Sequence, residues 1–171
     1  ERHPDFHGAS VSPFGSPKDS SSIVTYFAQD VADKYALTVE AFETALAKSG
    51  GSIVFVDDFV GSGMQSASIL LNWLGEKPLL DEDHGPPLTA GAREELKKRK
   101  LAFIFVSGQT VGAELLRSTA TKYGLDATVQ VISPAEQLPK AFDSTSPFMR
   151  EEGKRDAFRD RCKEIGRQLL T

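Results

Sequence analysis

I-V-F-V-D-D-F-V-G-S-G-M-Q-S-A-S, residues Ile53 to Ser68, is the stretch from which the rest of the chain is read. Its first four residues are apolar, and Ile53, Val54 and Val56 are β-branched. A run this short suits a strand buried on both faces of a parallel sheet better than a helix. Two adjacent carboxylates follow, Asp57 and Asp58, and then a loop of small residues, Gly61-Ser62-Gly63. From about Ala67 to Leu74 apolar residues recur at helical spacing.

Strand, acid pair, small-residue loop and helix start together suggest a site for a phosphorylated sugar. Ligands of open α/β sheets gather at the carboxyl ends of strands, where loops and helix N-termini converge. Gly61 and Gly63 carry no side chain to keep backbone N–H groups away from an anion. The first turn of the helix adds unpaired donors and a partial positive charge. Ser62 and Ser66 contribute hydroxyls. Carboxylates repel a phosphate but accept hydrogen bonds from vicinal hydroxyls, so a ribose 5-phosphate matches the order of groups. A phosphoacceptor receiver domain would need an Asp and a Lys ending later strands, and those strands end at Ser107-Gly108 and Ser133-Pro134. A nucleotide-triphosphate loop needs a Lys after its last glycine, and Met64 stands there. The competing plain reading is a capped helix after an ordinary strand, with Asp57 and Asp58 as solvated turn residues.

Around this centre the pattern is α/β. Residues 1–19, rich in Pro, Ser and Gly, read as an irregular lead-in, with His3 and His7 as ordinary exposed residues. Ile23, Phe27, Val31 and Tyr35 form one helical stripe, with Phe27, Tyr35 and Phe42 expected in the core. Val39, Phe42, Ala45 and Leu46 continue it as a second helix or a bent extension, stopped by Gly50-Gly51. No strand is evident before Ile53, so early strands are either missing or hidden in residues 1–19. Residues 75–90, with three prolines and the acidic Asp81-Glu82-Asp83, read as a mobile, solvated excursion. A short helix then ends in the basic run Lys97-Lys98-Arg99-Lys100, expected to face solvent and match the helix dipole. Leu101–Val106 and Ala127–Ile132 are two further strands, separated by a helix with Val111, Leu115 and Leu116 expected inward. This alternation predicts right-handed crossovers and a mainly parallel sheet in a three-layer Rossmann-like core. It brings Asp57, Asp58, Ser107, Gln109 and Ser133 to one carboxyl edge, though Ser107 is equally suited to capping the next helix. A polar loop with Phe142 and Phe148 and a charged final helix carrying Phe158, Cys162, Ile165 and Leu169 close the chain.

The 171 residues, 40% of them hydrophobic, suffice for one α/β domain with a real core. A net charge of −4 argues against general affinity for nucleic acid or an anionic membrane. The single cysteine, Cys162, allows no internal disulfide. No apolar run reaches spanning length and no signal-peptide pattern opens the chain, so a cytoplasmic location is expected. The first residue is Glu1 rather than Met, which suggests either a trimmed chain or a missing N-terminal region.

The order D-D-x-x-G-S-G after a hydrophobic strand resembles the phosphoribosyl-pyrophosphate loop of type I phosphoribosyltransferases. In its D-D-F-V-G-S-G form it is similar to the divergent phosphoribosyltransferase-like domains of bacterial conflict and defence proteins. The resemblance implies a phosphoribosyltransferase-like fold in one domain over residues 20–171, lacking N-terminal strands. Asp57 and Asp58 would be the catalytic-site carboxylates, holding the ribose hydroxyls and standing beside Mg2+. Gly61, Ser62 and Gly63, with Gln65 and Ser66, would take the 5′-phosphate, and Lys18 the pyrophosphate. Phe59, Val60, Ser107 and Gln109 would complete the lining, and the segment after Leu138 would serve as a hood over the acceptor. The chain departs from the family pattern at several places. Phe59 stands where an aliphatic residue is usual, and Gly61 where Ser, Thr or Ala is. Gln65 replaces a second hydroxyl, and Ser66 comes one place late. The implied function is binding of phosphoribosyl pyrophosphate or a related ribose 5-phosphate ligand, with transfer to an unknown acceptor and release of pyrophosphate. The alternative is a non-catalytic nucleotide-sensing or scaffold domain of a larger bacterial defence or regulatory protein, with a fused or associated effector.

Overall fold

In the computed structural model, which describes residues 6–15, 21–48, 50–138, 140, 142–144 and 151–169, the motif strand β3 (Ile53–Val60) is the middle of a five-stranded sheet. On one side lie β1 (Ser10–Pro13) and β2 (Thr38–Val39), on the other β4 (Lys100–Gly108) and β5 (Asp126–Pro134). The order is β2-β1-β3-β4-β5 and every pairing is parallel. The chain divides into two compact units, Glu1–Glu136 and Gln137–Thr171, and the sheet belongs to the first.

Alternation along β3 builds two cores. Ile53 and Phe55 join Phe14, Phe103, Phe105, Leu70, Trp73 and Leu116 on one face. Val54 and Val56 join Ala9, Val11 and Ala102 on the other. The first face is covered by α3 (Met64–Trp73), α4 (Ala90–Lys97) and α5 (Thr110–Lys122), with the short α2 (Phe42–Ala47) beside them. The second is covered by α1 (Ser21–Ala32) through Val24 and Ala28. This is the three-layer, Rossmann-type arrangement. Phe55, Phe103 and Phe105 are each 1% exposed or less and contribute about 1.5–3 kcal/mol apiece by burial.

Several expectations are corrected. The lead-in contains β1, which pairs with both β2 and β3, so an early strand is hidden there. Its sequence, S-V-S-P, has too little apolar character to announce a strand. Val39 belongs to β2, not to a helix. On α1 it is Val24 and Ala28 that face the sheet, while Ile23 and Phe27, together with Tyr35 beyond the helix, are exposed. Two stripes one residue apart are both apolar there, and periodicity cannot choose between them. Val111 likewise faces out. The excursion after α3 is stitched down: the amides of Leu79 and Leu80 donate to Ser68 Oγ at 3.0 and 2.9 Å. Asn72 Nδ2 donates to the carbonyls of His84 and Gly85 at 3.2 Å each. Arg99 is not solvent-facing but 3% exposed, donating to the carbonyls of Leu46, Lys48 and Gly51 and paired with Glu95.

The second unit contains α6 (Glu152–Leu169), laced by i,i+3 ion pairs such as Lys154–Glu151 and Arg167–Glu164. Phe142 and Phe158 stand 6.0 Å apart, ring to ring, and Cys162 is exposed. Phe148 lies outside the described residues. Among those residues no helix is long and apolar enough to cross a membrane.

Candidate functional site

A sheet ordered 2-1-3-4-5 reverses its winding direction between β1 and β3, and the crevice outside the strand ends at that point is where such folds take ligands. A cavity of about 330 Å3 opens there. Phe14, immediately after β1, lines it, as do Asp57, Asp58 and Phe59 at the end of β3, and Gly61, Ser62, Gly63, Gln65, Ser66 and Ile69 from the loop and α3. Its volume falls at the small end of small-molecule sites, roughly 300–1,000 Å3.

The acid pair sits within the carboxyl half of β3 rather than after it. Asp57 is half-buried and Asp58 exposed, and the Asp58 amide donates to Asp57 Oδ1 at 2.9 Å. Val60 behind them is 1% exposed and belongs to the core, so it supports the cavity rather than lining it.

The loop turns on Gly63, which adopts φ +79° as the N-cap of α3. A Cβ there would stand 2.8 Å from the Gly112 Cα, and one on Gly112 would stand 2.9 Å from the Gly63 nitrogen. Two glycines therefore let the loop press directly on the first turn of α5. Neither steric demand is visible locally, and Gly112 was not singled out from the sequence. Gly61 is different: a Cβ there would meet only the Phe59 ring at 3.5 Å, an ordinary contact.

The N-termini of α3 and α5 both reach this edge of the sheet, and they are finished differently. At α5 the Glu136 carboxylate accepts from the Thr110 amide at 2.9 Å and from its hydroxyl at 3.2 Å. The protein's own anion thus occupies that helix end. At α3 the N-cap is a glycine with no side chain to offer, and Met64 N reaches Ser62 Oγ only at 3.4 Å. Gly63, Gln65 and the buried Ser66 of that first turn border the cavity. The α3 end is where orphan donors meet open space.

A family model of phosphoribosyltransferase-like domains, PRTase-CE, matches residues 2–171. The chain belongs to the PRTase-CE family. No curated protein and no solved structure matches it. In this PRTase-CE domain the acid pair and the glycine loop meet at one cavity. Ser107 and Gln109 do not line that cavity. The Ser107 hydroxyl donates across to the Ser133 carbonyl at 2.9 Å, tying β4 to β5 instead of capping a helix. Gln109 is exposed, and its amide donates to the Val60 carbonyl at 2.7 Å. Lys18 lies outside the described residues. Among the described residues that line the cavity there is no lysine or arginine.

Phe14 is, with Ile69, one of two lining residues that sequence reading passed over. It is 2% exposed and held by Phe103 at 4.9 Å, Trp73 at 5.5 Å and Phe55 at 5.7 Å between ring centroids. A large aromatic directly after V-S-P, in an otherwise polar stretch, was the available signal.

Proposed function

We propose that this cavity binds the ribose 5-phosphate portion of phosphoribosyl pyrophosphate or of a related ligand. Asp57 and Asp58 accept hydrogen bonds from the ribose 2′- and 3′-hydroxyls. The Gly61-Ser62-Gly63 loop and the first turn of α3, with Gln65 and Ser66, receive the 5′-phosphate. The observation that carries this reading is the convergence of two adjacent carboxylates and an uncapped helix start on one cavity at the β1/β3 switch point.

Magnesium fits such a site as a ligand-borne ion. The carboxylate oxygens of Asp57 and Asp58 are hard donors, and no cluster of three or more His, Cys, Asp or Glu occurs among the described residues. An octahedral ion would therefore complete its shell from the ligand's oxygens and water. When bound, it would supply charge neutralisation for the diphosphate. In the transfer reading, pyrophosphate leaves the anomeric carbon and an acceptor takes its place, with the protein contributing position and electrostatics. The absence of lining cations among the described residues leaves neutralisation to magnesium and Lys18, and it favours the second reading. In that reading the domain holds a nucleotide without transferring it, as the sensing part of a larger defence or regulatory protein.

Calorimetry with phosphoribosyl pyrophosphate and Mg2+ tests the site. The Asp57→Asn/Asp58→Asn double variant should bind at least about 100-fold more weakly, two charge-assisted hydrogen bonds being lost. Undiminished binding by that variant would remove the assignment. Pyrophosphate release with a panel of bases separates transfer from retention.

A further inference from the structure

A ribose anchored by its hydroxyls at Asp57 and Asp58 and by its 5′-phosphate at the loop leaves one position to be filled, the anomeric carbon. That carbon carries either a planar, uncharged base or a diphosphate, and the two make opposite demands on a wall. A diphosphate needs cations; a base needs an aromatic or apolar face.

The lining answers with rings. Phe59 is 51% exposed, whereas Val60, next along the strand, is 1% exposed. Its ring lies beside the loop, with Cε1 3.5 Å from the place a Cβ on Gly61 would occupy. Phe14, locked by its neighbours, and Ile69 extend the apolar lining. Against this stand two carboxylates and, among the described lining residues, no lysine or arginine. Adding two further phosphates to the ligand would place more negative charge beside the acid pair with no fixed counter-charge from these residues.

We infer that the ligand retained is a nucleoside 5′-monophosphate, and that Phe59 is the platform on which its base stacks, an inference resting on the ribose 5-phosphate reading of the same cavity. An exposed aromatic within a polar rim is what such a ligand would cover. Stacking tolerates any base, so the site selects for the presence of a base more strongly than for its identity.

Titration of the chain with AMP, ribose 5-phosphate and phosphoribosyl pyrophosphate, all with Mg2+, tests this. AMP should bind about 5- to 150-fold more tightly than ribose 5-phosphate. Phe59→Ala should collapse that preference to near unity, and Phe59→Trp should keep or enlarge it. Three results would each overturn the inference while leaving the sugar-phosphate site standing: AMP binding no tighter than ribose 5-phosphate, Phe59→Ala retaining the preference, or phosphoribosyl pyrophosphate binding more tightly than AMP. Binding of none of the three would overturn the site reading itself, and this inference with it.

Discussion

At the amino end of the sheet, the guanidinium of Arg99 is buried just before β4 and donates to carbonyls at the end of α2 and in the α2–β3 connection. At the carboxyl end the charges are Asp57 and Asp58, half-buried and exposed beside an open cavity. The first arrangement uses charge to close the fold, since a buried cation and buried carbonyls satisfy one another. The second gathers charge, glycine backbone and a helix start around one cavity. The contrast separates residues held for stability from residues held for a ligand, and substitutions at each end should divide accordingly.

The largest loss is expected at the closed end. Arg99→Met would leave the carbonyls of Leu46, Lys48 and Gly51 without their donor and Glu95 with Lys98 as its remaining cation. We expect about 3–5 kcal/mol of destabilisation, read as a lowered urea midpoint with an unchanged slope. An effect under 1 kcal/mol would show that the buried guanidinium is replaceable and would weaken the contrast. Next comes the loop. Gly63→Ala combines a left-handed backbone with a clash against Gly112 and should cost about 2–4 kcal/mol. Gly61→Ala, meeting only the Phe59 ring, should stay within about 0.5 kcal/mol. If the two alanine variants melt together, the loop is not pinned on α5 as described.

What the sequence disclosed follows the same division. β3 and β4 were legible because strands buried on both faces must be written as apolar runs, and the edge strand β5, where Val129 is the one fully buried residue, was legible through its alternation of Val129 and Val131 with polar neighbours. The acid pair and Gly61-Ser62-Gly63 were legible because their residue types are adjacent in the chain and unusual in combination. β1 was not: its burial comes from two neighbouring strands and α1, so S-V-S-P suffices. Arg99 was hidden inside a basic run, and only the arrival of the α2–β3 connection makes it different from Lys97, Lys98 and Lys100. Gly112 was hidden because its demand for no side chain comes from a loop distant in sequence. Ser107 could have served the cavity, a helix cap or a strand, and its partner is a carbonyl on β5. Local composition records what a segment buries; it does not record who arrives to cover it.

A smaller effect is expected at Glu40, again toward the amino end. Its side chain is 11% exposed, accepts from Ser10 Oγ and pairs with Lys48 at 2.6 Å. Burial pushes its carboxyl up, but the hydrogen bonds from Lys48 and Ser10 and the Lys48 charge outweigh that, leaving it below the ordinary 4.5. The folded protein therefore holds this proton less readily than the unfolded chain does. The resulting stabilisation is complete above pH 4.5 and disappears as pH falls through the lowered folded value. Glu40→Gln should cost about 1 kcal/mol at neutral pH, discounted because Lys48 is half in water. Its deficit against the wild type should shrink in denaturation measured progressively below pH 4.5. A constant deficit would mean that the carboxylate charge contributes nothing there.

The smallest effect on stability belongs to the residues placed at the centre of the site. Asp57→Asn/Asp58→Asn keeps the Oδ1 that accepts the Asp58 amide and removes two like charges from neighbouring positions. The change should lie within about 0.5 kcal/mol of zero. Ligand should reverse the ranking. At a concentration of 100 times its dissociation constant, a nucleotide or sugar phosphate raises the wild type's unfolding free energy by about 2.7 kcal/mol, and the double variant should gain almost none of it. A variant that loses more than 1 kcal/mol without ligand would place this acid pair with Arg99, among the groups that close the fold. A variant as stable as the wild type and indifferent to ligand means the chain keeps two repelling carboxylates side by side because something other than the fold requires them.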